Sequence, residues 1–127
     1  MKIAINIFYL IFTFFFAGVE PSDEIVAALK QGKTADMVKY FDEKVSIKII
    51  NQEDVLSKSQ AEANLKFFFE KHTVKAFSSS HVSSVNNGAQ YITGSLETSS
   101  GKFRVSILLR RNLIAQFRIE TDNDWFY

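Results

Sequence analysis

The segment from Lys102 to Glu120 constrains the fold most, because its apolar residues keep a two-residue period on both sides of one short turn. Phe103, Val105, Ile107 and Leu109 alternate with Lys102, Arg104, Ser106 and Arg110, and Leu108 breaks the pattern. Successive strand side chains point to opposite faces, so one face is apolar and the other is wet. Leu113, Ala115, Phe117 and Ile119 then alternate with Gln116, Arg118 and Glu120. A one-residue slip would send a whole set to the wrong face. Keeping both sets on one side therefore places Leu109 opposite Leu113. That predicts a three-residue loop, Arg110, Arg111 and Asn112, with Asn112 in the left-handed position.

The same pattern extends upstream. Ser100-Gly101 is predicted as a two-residue hairpin loop, pairing Leu96 with Val105, Gly94 with Ile107 and Ile92 with Leu109. Gly94 then removes a side chain from the middle of the apolar face, which marks a bend or a close approach by another group. The preceding hairpin has two readings. An Asn87-Gly88 loop turns Phe77, Ser79, His81, Ser83 and Val85 inward. A loop of Asn86, Asn87 and Gly88 turns Val74, Ala76, Ser78, Ser80 and Val82 inward instead. The two send His81 to opposite faces.

The first half of the chain supplies the cover. Pro21 opens a short helix with Asp23 and Glu24 in its first turn, and Gly32 ends it. Thr34 caps a second helix over Ala35 to Phe41, and Val45, Ile47 and Ile49 form a strand. Asn51 to Glu53 turn the chain into a brief edge strand, Asp54 to Leu56. Ser59 and Glu62 have capping-box spacing at the head of the longest helix, Gln60 to about Lys71. Ala61, Leu65, Phe68, Phe69 and His72 share one stripe of it, with Phe67 on a flank. The expected architecture is α+β: N-terminal helices and one long helix packed on a strongly curved antiparallel sheet.

A length of 127 residues with 46% hydrophobic content and 13 Phe allows one well-filled domain. Met1 to Val19 reads as a signal peptide: Lys2, an apolar block from Ile3 to Ala17, then small residues. The block is shorter than the ~20 apolar residues a membrane-spanning helix needs. A single domain over residues 20–127 is then expected outside the cytoplasm, periplasmic or extracellular, with no membrane attachment after signal removal. Without Lys2 the balance is 14 basic against 14 acidic residues, too neutral to gather a nucleic acid. The absence of Cys leaves the fold to packing alone.

The element order, with Leu56-Ser57-Lys58, the Phe67 to Phe69 run, Tyr91-Ile92-Thr93-Gly94 and Gly101-Lys102-Phe103-Arg104-Val105, resembles the nuclear-transport-factor-two-like, cystatin-like superfamily of cone-shaped domains. More narrowly it is similar to a Bacteroidetes family of exported domains of unknown function. The resemblance spans Pro21 to Glu120. It implies a cavity between sheet and helices and pairing of two copies through the sheet. It carries over no functional residue.

Candidate site residues follow from that picture. Tyr40, Phe68, His81, Gly94, Phe103, Ile107 and Phe117 are the expected lining of a pocket for a small apolar ligand. Ile92, Gly94, Leu96, Phe103, Val105, Ile107, Leu109, Leu113, Ala115, Phe117 and Ile119 are read as inward, and none titrates. The main wall thus offers no general base, and the chain reads as a non-enzyme. Isomerase- or hydrolase-like use of the cone and a purely structural dimer are the alternatives. Asp42, beside Tyr40, reads as a helix-end acid. His72 and His81 without Cys make no metal site, and no cofactor is expected. Gln90-Tyr91-Ile92-Thr93-Gly94 approximates the cystatin inhibitor signature but lies mid-strand, away from any hairpin tip. Trp125, Phe126 and Tyr127 are the interface candidates, as lid or as anchor of a homodimer contact.

Overall fold

The computed structural model describes residues 20–85 and 88–122. The order is α1 (Pro21–Gln31), α2 (Thr34–Val38), β1 (Phe41–Ile49), β2 (Gln52–Ser57), α3 (Lys58–Lys71), β3 (Val74–Val85), β4 (Ala89–Thr98), β5 (Gly101–Arg110) and β6 (Leu113–Thr121). The six strands form one curved, unclosed sheet in the order β2-β1-β6-β5-β4-β3, with the helices on its inner face. The sheet is mixed rather than wholly antiparallel. β1 runs parallel to β6, pairing Ile47 with Phe117 and Ile49 with Ile119. The long crossover from β1 to β6 through α3 and the hairpins makes this parallel pair possible.

Local chemistry explains the helix ends. Gly32 adopts φ +66° and closes α1, its N–H donating to Leu29 and that of Lys33 to Ala28, so the last carbonyls of the helix are satisfied. α2 is shorter than expected and stops at Val38, leaving Phe41 to begin β1. Lys33, not Thr34, holds its N-cap position, and Thr34 is buried within it. The capping box of α3 is Ser57 with Gln60, two residues earlier than the Ser59–Glu62 pair. The Gln60 N–H donates to Ser57 Oγ, and the Ser57 N–H to Gln60 Oε1.

The hairpins correct the predicted register in three places. The β5–β6 loop is two residues, Arg111 and Asn112, both at positive φ, as the favoured tight hairpin turn requires. Leu109 therefore faces Ile114, and Leu108 faces Gln116, with Ala115 inserted as a bulge. The bulge reverses the parity of β6, so that Ile114 (0% exposed) and Phe117 both point inward while Leu113 (37%) points out. The β4–β5 loop is Ser99-Ser100, which pairs Leu96 with Phe103, Gly94 with Val105 and Ile92 with Ile107. This two-residue shift keeps the face. Thr98 Oγ1 fixes the turn, donating to the Gly101 carbonyl and accepting from the Ser100 N–H.

Neither reading of the β3–β4 hairpin holds along the whole strand. Near its tip Val85 pairs with Ala89 and Val82 with Ile92, the register of a three-residue loop. A bulge at Ser80 changes the parity, and beyond it Phe77 faces Leu96 and Ser79 faces Gly94. The β1–β2 turn is Ile50-Asn51, earlier than predicted, and β2 is correspondingly longer.

The core lies between sheet and helices. Ile25, Ala28 and Leu29 of α1, Met37 of α2 and Ala61, Leu65, Phe68 and Phe69 of α3 pack on Val45, Ile47, Ile92, Leu96, Phe103, Val105, Ile107, Leu109, Ile114, Phe117 and Ile119. Phe67, followed by two buried phenylalanines, stays 58% exposed, as a flank position should.

Candidate functional site

The space beside Gly94 is occupied. A Cβ on Gly94 would lie 2.5 Å from Phe77 Cζ and 2.5 Å from the Ser78 carbonyl oxygen. The glycine is the close approach the sequence suggested, but its occupant is the ring from the neighbouring strand rather than an empty space. Phe103, Ile107 and Phe117 are buried core side chains, and Phe103 stacks edge-on to Phe68 at 5.3 Å. All three belong to the hydrophobic core.

Tyr40 and His81 lie elsewhere. The Tyr40 hydroxyl donates to Glu24 Oε2 and ties the start of β1 to α1. That bond, burial and the Glu24 charge, in that order, push its pKa up to about 12, because ionising the phenol would set two anions together. Asp42 belongs to β1, not to a helix end, and its Oδ1 accepts from the Glu43 N–H. His81 pairs with Thr93, the outward neighbour of Ile92, and is exposed on the outer face. The seven pocket candidates therefore divide: four pack the interior with Phe77, Tyr40 clasps α1, His81 points away, and Phe68 reaches a surface groove. Trp125, Phe126 and Tyr127 lie outside the described residues.

That groove, of about 350 Å³, runs between the β1–β2 turn and the end of α3. Ile49, Ile50, Phe67 and Phe68 form its apolar part, and Gln52, Asn64, Lys71 and His72 its polar part. Lys71 Nζ stands 4.5 Å over the Phe67 ring. His72 caps α3 and stacks on Phe68 (4.4 Å) and Phe103 (5.3 Å), and its Nδ1 is buried with no partner among the described residues. Ile50 has φ +59°, a strained backbone for a β-branched residue. Sequence reasoning missed this groove. The flank position of Phe67 beside His72 was its one visible signal.

The outer face of the sheet carries a second feature. Cross-strand pairing lines up Ser83, Tyr91, Leu108, Gln116, Ser46 and Val55 in one row across all six strands, with no charged member. Val55 is 69% exposed and Tyr91 36%, whereas Leu108 is buried within the row. The next row holds Thr93, Ser106, Arg118, Lys48 and Glu53. Its charges form a network: Lys48 pairs with Glu120 at 3.2 Å, and Arg118 pairs with both Glu53 and Glu120 at 3.6 Å. The Lys48 hydrogen bond, with Arg118 nearby, holds the Glu120 carboxyl below its ordinary value. An uncharged stripe is thus bordered by fixed charge.

Among the described residues no group of three His, Asp or Glu side chains converges as metal ligands would, and no helix is long and apolar enough to cross a membrane. None of the curated proteins matches the chain. Solved structures do. A DUF4783 family protein from Bacteroides ovatus is similar at 30% identity and a TM-score of 0.75, covering 80% of this chain and 94% of its own. One from Bacteroides uniformis is 29% identical with a TM-score of 0.75, covering 80% and 97%. A putative polyketide cyclase from Sinorhizobium meliloti, 8% identical with a TM-score of 0.62 over 79% and 93%, shares the fold alone. The fold is thus the nuclear-transport-factor-two-like cone that the element order resembled. Residues 22–121 match the domain of unknown function DUF4783, and the chain belongs to that family.

Proposed function

We propose that this domain is a non-catalytic protein-interaction module that pairs with a second copy of itself through the outer face of its sheet. The observation that carries this is the uncharged row from Ser83 to Val55, where Tyr91 and Val55 remain open to solvent beside an ion-pair network. Partly exposed aromatic and aliphatic side chains flanked by charge suit a protein interface, with the charges setting orientation. The filled space over Gly94 supports binding on a surface rather than inside the cone. The untitratable inner wall supports a role without acid–base chemistry. The leader-like Met1 to Val19 supports action outside the cytoplasm.

Sedimentation equilibrium of the purified chain tests the pairing. The parent protein should show the mass of a dimer, and Tyr91→Lys and Val55→Lys, both at exposed positions that leave the core intact, should shift it to monomer. A parent protein that stays monomeric at high concentration, or a dimer indifferent to both substitutions, overturns the proposal.

A further inference from the structure

We infer that the groove at the end of α3 is the docking site of the chain's own C-terminal aromatic segment, with Trp125 as its principal anchor. Three observations meet there. The first is proximity. β6 leaves the sheet between the two walls of the groove: Ile119 pairs with Ile49 and accepts from the Ile50 N–H, while Thr121 pairs with Phe103. The Phe103 ring touches both Phe68 and His72 at 5.3 Å. The Asp122 N–H still donates to the Lys102 carbonyl, and its carboxylate stands 3.5 Å from Arg104, so the chain is held beside β5 up to that point. Trp125 follows three residues later, within about 10 Å of extended chain.

The second is chemistry. The groove volume of about 350 Å³ is at the lower end of sites that enclose aromatic groups. Its open wall includes Phe67, 58% exposed, a large apolar side chain that the rest of the domain leaves uncovered. Gln52 and Asn64 supply amide oxygens at the rim, the kind of acceptor that a buried indole N–H requires. The third is incompleteness. Buried polar atoms are nearly always paired, and His72 Nδ1 has no partner among the described residues. The positive φ of Ile50 adds strain on the same rim, a conformation that persists where surrounding contacts hold it. A segment seated here would bury Phe67, bring polar groups to His72 and brace Ile50 together. The segment is intramolecular, so its effective concentration is high without a tight intrinsic affinity.

Trp125 is the single tryptophan of the chain, so its fluorescence reports on this segment alone. In the folded protein its emission should be blue-shifted and protected from acrylamide, relative to the protein in urea, and unchanged on dilution. Phe67→Asp should shift the emission to that of the unfolded chain while far-UV circular dichroism stays native. Asn64→Lys, at an exposed rim position, should do the same. Emission already at the solvent-exposed limit, a blue shift that survives both substitutions, or one that vanishes on dilution would each overturn the inference, the last by assigning the groove to another copy. Loss of dimer mass with the blue shift retained would instead bear on the sheet-face pairing.

Discussion

The close contact at Gly94 can be tested by adding one methyl group. In Gly94→Ala the new Cβ would lie 2.5 Å from Phe77 Cζ, 2.8 Å from Phe77 Cε1 and 2.5 Å from the Ser78 carbonyl oxygen. The ring has nowhere to retreat, since Phe77 is buried among Leu96 and the helices, and the carbonyl belongs to the strand beside it. Overfilling a packed core in this way costs about 1–3 kcal/mol. Gly94 does not have a left-handed φ, so the alanine backbone is not strained, and the stiffer unfolded chain returns about 0.4–1 kcal/mol. The net effect is a loss on the order of 1–2 kcal/mol, which in a domain near 100 residues lowers Tm by roughly 5–15 °C. Thermal melts and urea titrations followed by circular dichroism measure it, with the urea slope expected unchanged. Phe77→Leu in the Gly94→Ala background separates the two contacts. Partial recovery identifies the ring as the obstacle, and no recovery identifies the carbonyl. A Gly94→Ala protein as stable as the parent, or more so, would refute the claim that β3 closes the interior at this point.

Three further outcomes check other parts of the structure by urea and pH titration. Ile114→Ala should cost about 2–5 kcal/mol as a fully buried truncation, while Leu113→Ala should stay within about 0.5 kcal/mol; equal effects would disprove the two-residue β5–β6 loop. Ser57→Ala should cost about 0.5–2 kcal/mol by opening the capping box of α3, and Ser59→Ala within about 0.5 kcal/mol; the reverse order would restore the Ser59–Glu62 box. Tyr40 titrates near 12 in the folded chain, against about 10 when unfolded. It therefore adds stability below pH 10 that is lost as the pH rises through 12, and Tyr40→Phe should flatten that decline; a spectrophotometric titration at 295 nm without a late-ionising tyrosine would contradict the Glu24 bond.

The fold was legible because alternation survives local error. Ile92, Leu96, Phe103, Val105, Ile107, Leu109, Phe117 and Ile119 are all inward and buried, although the β4–β5 pairing read from sequence was displaced by two residues. A shift of two preserves the face, whereas a shift of one reverses it. The errors that mattered were the odd ones. At Ala115 and Ser80 a bulge inserts a single residue, and no residue type in either segment announces it, since a bulge away from glycine has no compositional signature. Turn chemistry misled once more at Ile50. Asn51 looked like the residue for the turn, yet the left-handed conformation falls on the isoleucine before it, where tertiary packing against the core outweighs local preference.

The candidate surfaces were hidden for a related reason. An outer-face row exists only as a sum of registers across six strands, and each register carries its own parity. Had β6 kept the three-residue loop, Leu108 would have faced Ile114 rather than Gln116, and Ile114 would have been turned out of the core. The two-residue loop thus turns Ile114 inward, and the bulge at Ala115 returns Phe117 and Ile119 to the same side. The groove depends likewise on the parallel pairing of β1 with β6, which joins chain segments about 70 positions apart. It places Ile50 against Ile119 and so puts the exit of β6 next to the exposed ring of Phe67. Deleting Ala115 removes the bulge but leaves Leu109 opposite Ile114 and Leu108 opposite Gln116, so Phe117 and Ile119 keep the inner face and the stripe keeps its members. Dimer mass and folding cooperativity should both survive that deletion, whereas Tyr91→Lys should abolish the first and spare the second.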